Sequence, residues 1–323
     1  MQGFTFYTEK IANKGEDAPA TYLDHTTRGI IAVYDGLGGA GSALYEIPNE
    51  SVSHSGAYLA SRLAKTTTER CFQDNQHLEG EEFIQFLELT LRENFEQEKI
   101  RLQIPHSRLK SKLLRTLPTT IAGIYWEISW GNEGNKMLDS YTFWAGDSRC
   151  FFLEKESLKQ VSRDHLKGNP DALENLKQDA TMLNCLHADE PIFDLELLQY
   201  KLEQPTVLIC ATDGCFGYIA HPIYFEYILL ETLMNSNYTL EDWNENLKQV
   251  LLSITGDDMS FSLVAWGFEH LDAMKLYFHE RYEIVKKDYI GTWITFKNNP
   301  HTQEQSEQFL QNLWKNYAQN YYI

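Results

Sequence analysis

GIIAVYDGLGGAGS, from Gly29 to Ser42, is an apolar β-branched run that meets one aspartate and then a cluster of glycines. Ile30, Ile31, Ala32 and Val33 read as a buried strand, and Gly36, Gly38, Gly39 and Gly41 release the backbone into a tight turn that displays Asp35 at the strand's end. Three readings compete. Gly36, Gly38 and Gly41 spell G-x-G-x-x-G, the dinucleotide fingerprint, which requires a helix opening directly on the glycines; the residues that follow, SALYEIPNES, carry Pro48 instead. An ordinary glycine turn is the second reading. The third makes Asp35 a metal ligand and predicts partner carboxylates at other strand ends.

Composition bounds the answer. A chain of 323 residues with 43% hydrophobic content can bury a large core. Its 28 basic and 46 acidic residues leave a formal charge of -18, which excludes a generic phosphate-backbone binder, so no nucleic acid is expected as partner. MQGFTFYTEK is not a secretory leader, and no apolar run reaches the roughly 18 residues of a membrane span. The expectation is a cytoplasmic protein with no membrane partner. Cys71, Cys150, Cys185, Cys210 and Cys215 show no C-x-x-C spacing and read as small hydrophobes, and the ten histidines show no H-x-x-x-H spacing. A nitrogen-and-sulfur metal site is not supported.

Along the chain, Gly3 to Thr8 alternates like a strand and runs into a turn ending in Glu16 and Asp17. Ser55 to Cys71 has helical spacing with Ser55 as N-cap, and Phe83 to Phe95 marks a second covering helix. Thr119 to Trp130, Tyr141 to Trp144 and Arg149 to Leu153 read as an antiparallel meander, with a turn at Gly131 to Lys136. His165 to Leu186 reads as an inserted loop-helix segment. Pro205 to Thr212 is a buried strand that ends, like the first, in Asp-Gly, here Asp213-Gly214. Ile223 to Leu233 and Leu240 to Ile254 are helical, and Ser260 to Phe268 is a strand following Asp257-Asp258. Phe309, Leu310, Leu313, Trp314, Tyr317 and Tyr321 form a stripe at helix spacing, packed on the core or presented to a partner.

Glu16, Asp17, Asp35, Asp147, Asp213, Asp257 and Asp258 thus gather at strand ends. Any one of them is ordinary turn chemistry. Together on one rim they would repel and shift one another's pKa upward unless a cation neutralised them. A site of carboxylates alone suits hard ions such as Mg2+ or Mn2+. Two such ions acidify a shared water and offset a phosphoryl group's charge, so metal-assisted phosphoester hydrolysis follows as the reaction class.

GEDA at 15 to 18, YDGLGG at 34 to 39, TT at 119 to 120, WAGDSR at 144 to 149, SRDH at 162 to 165, ATDG at 211 to 214 and GDDMS at 256 to 260 resemble the ordered motifs of the metal-dependent protein phosphatases, the PPM or type 2C family. The resemblance spans most of Phe4 to Phe268 and is of the bacterial type. It implies an α+β fold, a sandwich of two antiparallel β-sheets flanked by helices in four layers. Residues 1–268 would form the phosphatase domain, with a flap at 165–186, and 269–323 an extension whose amphipathic helix packs on it. A binuclear Mn2+ or Mg2+ site is implied, with Asp35, Asp213 and Asp257 as carboxylate ligands and the Gly36 carbonyl beside them. Glu16 and Asp17 match the acidic pair, at least one acting through water, and Asp147 a residue of a weaker third metal. The implied activity is hydrolysis of phosphoserine or phosphothreonine in a protein substrate by a hydroxide bridging the two ions, opposite a cognate serine/threonine kinase.

Departures are as specific as the matches. Ala12 stands where the family carries its phosphate-binding arginine; Lys10 and Lys14 are the candidates to replace it, without the bidentate fork. Leu37 stands where eukaryotic members have a histidine, Gly217 replaces an aspartate of the third metal, which makes that metal doubtful, and Asp258 replaces an asparagine. Arg149 and Arg163 are expected in ion pairs rather than on substrate phosphate. A binding module that recognises phosphoprotein without turnover is the alternative, and a dinucleotide oxidoreductase a distant third.

Overall fold

Why the opening stretch is apolar without alternation is answered by its two neighbours: both faces of that strand are covered. The computed structural model describes residues 1–46, 52–104, 114–131, 134–168, 171–176, 181–189, 193–297 and 303–323. In chain order the strands and helices are β1 (Gln2–Thr8), β2 (Ala18–Asp24), β3 (Arg28–Tyr34), β4 (Leu44–Glu46), β5 (Ser53–Ser55), α1 (Gly56–Asp74), α2 (Gly80–Arg101), β6 (Ile121–Trp130), β7 (Lys136–Ala145), β8 (Arg149–Leu153), β9 (Leu158–Gln160) and α3 (Ala172–Asn175). There follow β10 (Glu196–Leu202), β11 (Thr206–Ala211), α4 (Pro222–Met234), α5 (Leu240–Leu252), β12 (Met259–Trp266), α6 (Leu271–Ile284), α7 (Thr292–Lys297) and α8 (Gln303–Tyr321).

Two five-stranded antiparallel sheets, ordered β1-β12-β11-β8-β9 and β10-β7-β6-β3-β2, stack face to face. Ile31 and Val33 of β3 point inward to Ile124, Trp126, Trp144, Phe152, Leu208 and Val264 between the sheets. Ile30, Ala32 and Tyr34 point outward to the apolar faces of α1 and α2. On the far side, Phe4, Phe6, Phe151, Ile209, Phe261 and Leu263 pack against α4, α5, α6 and α8. The α-β-β-α sandwich expected from the motif order is therefore the architecture observed.

Helix α1 begins where expected, with the Ser55 hydroxyl accepting the Tyr58 amide at 3.1 Å. No helix opens on Gly36 to Gly41; those residues lead into the β4–β5 hairpin, which removes the context a dinucleotide site requires. Pro48 lies outside the described residues. The expected meander is corrected at its third strand: β6 and β7 pair antiparallel, but β8 leaves them and pairs with β11 and β9 in the opposite sheet. Gly146, at φ +119°, sits at that departure, a backbone conformation that favours glycine. The 165–186 segment holds α3 and a bridge between Leu166 and Met182, with 169–170 and 177–180 outside the described residues.

After Phe268 the chain packs on the helices that cover the β1-β12-β11-β8-β9 sheet. Trp314, Tyr317 and Tyr321 of α8 are buried in the same core as Phe151 and Leu229. At its centre Glu226, fully buried on α4, accepts Arg281 Nε and Nη2 at 2.7 and 2.8 Å, the Tyr317 hydroxyl at 2.6 Å and the Leu158 amide at 3.2 Å. A buried carboxylate is tolerated only when its lone pairs are used, and here one residue ties α4, α6, α8 and β9 together. Glu226→Ala strands the Arg281 charge, and urea titration should show a loss of about 3–5 kcal/mol; a loss under about 1 kcal/mol would show that the pair is not a structural tie.

Candidate active site

Gly36, Gly38 and Gly41 of the turn after β3 are crowded by neighbouring groups, while Gly39 is open, and dihedrals are not the reason for glycine: none of the four has positive φ. A Cβ on Gly36 would lie 2.5 Å from the Glu16 carbonyl oxygen and 2.8 Å from that of Ala57. Gly38 lies against the Glu16 carboxylate and Gly41 against Pro118. Asp35 is anchored by its main chain: Thr120 N–H donates to its carbonyl at 2.8 Å, Thr119 Oγ1 donates to the same oxygen at 2.7 Å, and Asp35 N–H donates to Thr120 Oγ1 at 3.3 Å. Asp35 is partly buried, so the carboxylate is less displayed than the sequence suggests.

The aspartates named from sequence meet here, because β3 and β7 of one sheet and β11 and β12 of the other end at the same rim. Burial with the charge of Asp213 pushes Asp17 well above the usual carboxylate range. Asp35 is raised by burial, Asp17, Asp213 and Asp147. Burial and Asp213 push Asp147 up to about 8, and burial and Asp257 push Asp213 up to about 6, while Arg149 opposes both shifts. Such mutual upward shifts are the signature of a place where positive charge is missing.

Glu16 is turned differently. Its carboxylate accepts the Ser55 hydroxyl at 2.5 Å, while its carbonyl accepts Ser61 Oγ at 2.5 Å and Arg62 Nη1 at 3.0 Å. Arg62 Nη2 also holds the Gly15 carbonyl at 3.2 Å, and the guanidinium lies 3.5 Å over the Tyr58 ring. Asp258 accepts the Lys10 amide at 2.8 Å and the Glu16 amide at 2.7 Å, so it fastens both ends of the acidic loop. Arg62 and Asp258 are positioning residues whose role sequence reasoning missed, because their partners are main-chain atoms far along the chain. Lys10, Ala12 and Lys14 are exposed on this loop.

A cleft of about 380 Å³ opens over the rim, lined by Asp147, Asp213 and Asp257 together with Asn175, Leu176 and Tyr218, whose hydroxyl donates to Asp257 Oδ2 at 3.5 Å. Arg149, also on its wall, is committed: it is buried and bidentate to Asp164 at 3.0 and 2.6 Å, and lies 4.3 Å over the Phe216 ring. Arg163 stacks on Tyr322 at 3.6 Å. The ion-pair expectation therefore holds for Arg149, whereas Arg163 meets an aromatic ring and the Ile323 carbonyl at 3.4 Å. All five cysteines are buried and unbridged.

Among the described residues, no three His, Cys, Asp or Glu side chains converge closely enough to hold an ion by themselves. The donor chemistry nevertheless fits a hard divalent cation: the neighbourhood is all oxygen, and Asp17 Oδ2 and Asp147 Oδ1 are buried without a hydrogen-bond partner. No described helix is long and apolar enough to cross a membrane.

No protein-family model matches the chain. A putative protein phosphatase of Mycoplasma genitalium is 26% identical over 216 residues, 62% of this chain and 72% of that protein. Among solved structures, the serine/threonine phosphatase Stp1 of Staphylococcus aureus aligns with a TM-score of 0.61 at 17% identity, covering 83% of this chain and 95% of that one. The Mycobacterium tuberculosis serine/threonine phosphatase PstP aligns at 0.53 and 14%, covering 81% and 97%. This chain shares the fold of bacterial serine/threonine phosphatases.

Asp213 has a folded pKa above its ordinary value, so at pH 7.5 its charge is worse accommodated in the fold than in the unfolded chain. Asp213→Asn removes that penalty, and discounted for partial exposure the gain is about 1 kcal/mol. Thermal melts in EDTA should place the variant a few degrees above wild type; a lower melting temperature would show that repulsion does not govern this rim.

Proposed function

We propose that this chain is a phosphoprotein phosphatase of the PPM type, dependent on two Mn2+ or Mg2+ ions and acting on phosphoserine or phosphothreonine. One observation carries the reading: mutually repelling aspartates gather on one wall of a cleft in a fold shared with bacterial serine/threonine phosphatases. Left alone, such a rim would repel any phosphate ester. Divalent ions, when bound, supply the missing positive charge and a water acidic enough to ionise near neutral pH.

Asp35, Asp213 and Asp257 would hold the ions with the Gly36 carbonyl, and Asp17 and Glu16 would act beside them, at least one through water. Asp147 faces the same rim, but Gly217 in place of a further acid leaves a third ion poorly supported. Asp258 serves as the loop's fastener, each of its oxygens accepting one main-chain amide. Arg149 orients the rim electrostatically and, bound to Asp164, is not available as a fork for substrate. The phosphoryl group is therefore left to the ions and to Lys10 and Lys14 on the adjacent loop. The substrate is a phosphorylated protein made by a cognate serine/threonine kinase, and the setting is cytoplasmic. Residues 1–268 constitute the phosphatase domain and 269–323 an extension packed on it.

A non-hydrolysing phosphoprotein-binding module is the second reading, favoured by Ala12 and by the absence of a converged ligand set among the described residues. Hydrolysis of para-nitrophenyl phosphate and a phosphothreonine peptide with Mn2+, Mg2+ or EDTA separates the two. Turnover should require metal and fall about 100-fold or more in Asp213→Asn; near-normal Mn2+-dependent turnover in that variant would sink the assignment, and Mn2+ binding without turnover would favour the module. An exposed charge contributes about 0.2–1 kcal/mol. Lys10→Ala and Lys14→Ala should accordingly each raise the peptide KM by about two- to fivefold at unchanged kcat; no change in either would remove the lysines from substrate binding.

A further inference from the structure

Solved neighbours that are themselves covered almost end to end match only 81–83% of this chain, so it carries material beyond the shared fold. The C-terminal segment does more than cover apolar surface. The Trp314 indole N–H of α8 donates to Asp171 Oδ2 at 2.7 Å, while Oδ1 of the same carboxylate accepts the Leu173 and Glu174 amides at 2.9 and 3.3 Å. One carboxylate therefore caps α3 and ties it to α8. The Ala172 amide donates to the Tyr322 hydroxyl at 2.5 Å. Tyr322 is itself fixed from behind, by the Arg163 guanidinium at 3.6 Å, a bridge to Gln160, and the Ile323 amide on the Gln160 carbonyl at 3.4 Å.

The other end of α3 reaches the cleft. Asn175 Nδ2 donates to Asp164 Oδ2 at 2.9 Å, the oxygen that also accepts Arg149 Nη2. Asn175 and Leu176 line the same cleft as Asp147, Asp213 and Asp257. Two residues, Leu173 and Glu174, thus separate the tail's two bonds from the cleft wall, and a single turn of helix has little stability of its own without such outside bonds.

We infer that the C-terminal segment is a positioning element: through Trp314 and Tyr322 it fixes the Asn175–Leu176 wall, which selects how the peptide flanking a phosphorylated residue enters the cleft. The inference rests on the phosphatase reading of the same cleft. A small aryl phosphate has no flanking peptide and does not sense the wall. Trp314 and Tyr322 act on peptide binding and leave the chemical step alone.

Tyr322→Phe keeps the ring and deletes the hydroxyl, and Trp314→Phe replaces the indole by a smaller aromatic ring that lacks the N–H. Amide hydrogen exchange of the full-length variants should speed up at Ala172, Leu173 and Glu174 by about tenfold. The KM for a phosphothreonine peptide should rise by about three- to tenfold with kcat unchanged, and the Mn2+-dependent rate on para-nitrophenyl phosphate should stay within about twofold. Unchanged exchange in both variants would overturn the clamp, and the two variants guard against one that merely packs badly. Faster exchange with both substrates affected alike, or neither, would overturn the selectivity. A wild-type protein that hydrolyses neither ester would overturn the phosphatase reading instead, and the exchange rates, which require no turnover, would still decide the clamp.

Discussion

Repulsion among carboxylates at one rim of the sandwich is the constraint under which the rest of the structure is built. Asp35 follows β3 of one sheet, Asp213 follows β11 and Asp257 precedes β12 of the other, Asp147 lies in the β7–β8 connection that joins the two, and Asp17 is in the loop entering β2. They meet only when the two sheets close. Closure is driven by large side chains between the sheets, Trp126, Trp144 and Phe152 among them, whose burial outweighs a local electrostatic penalty at the end of the stack. At Asp35 the main chain holds the residue in place, through Thr119 and Thr120, whatever its side chain costs. The side chain is left to the charge problem.

That division between main chain and side chain explains what the sequence revealed. Strands β3 and β11 were legible as unbroken apolar runs because both their faces are covered, and each ends in Asp-Gly. The glycine is demanded by crowding: Gly36 lies under the Glu16 carbonyl and Gly214 under that of Asp258. Strands β2 and β10 escaped. They lie at the edges of their sheet, where Pro19 is tolerated in one and Glu196, Gln199 and Lys201 can face water in the other. The sheet to which β8 belongs was equally illegible, since RCFFL is buried on both faces and suits either.

The site's acidic members were visible as residues, but not their tasks. Asp257 and Asp258 are adjacent and chemically alike, yet one lines the cleft and the other spends both oxygens on the amides of Lys10 and Glu16. Arg62 sits in a helical stripe that looks like ordinary surface and instead braces the carbonyls of Gly15 and Glu16. Such roles depend on main-chain partners, and no side-chain pattern announces a carbonyl.

Arginine is the residue best shaped to grip a phosphoryl group, and here it is committed elsewhere. Arg149 is turned into a fully used pair with Asp164, and Asp164 in turn receives Asn175 and Gln160. That pair is the junction between the acidic rim, the cleft wall and the C-terminal segment, because Asn175 belongs to the same turn that Trp314 and Tyr322 hold. A cation in this position opposes the upward shifts of Asp147 and Asp213 by its charge. The chain thus uses this arginine for architecture, and on the proposed reading the charge of a phosphate ester would be met by cations that the rim's oxygens are suited to bind.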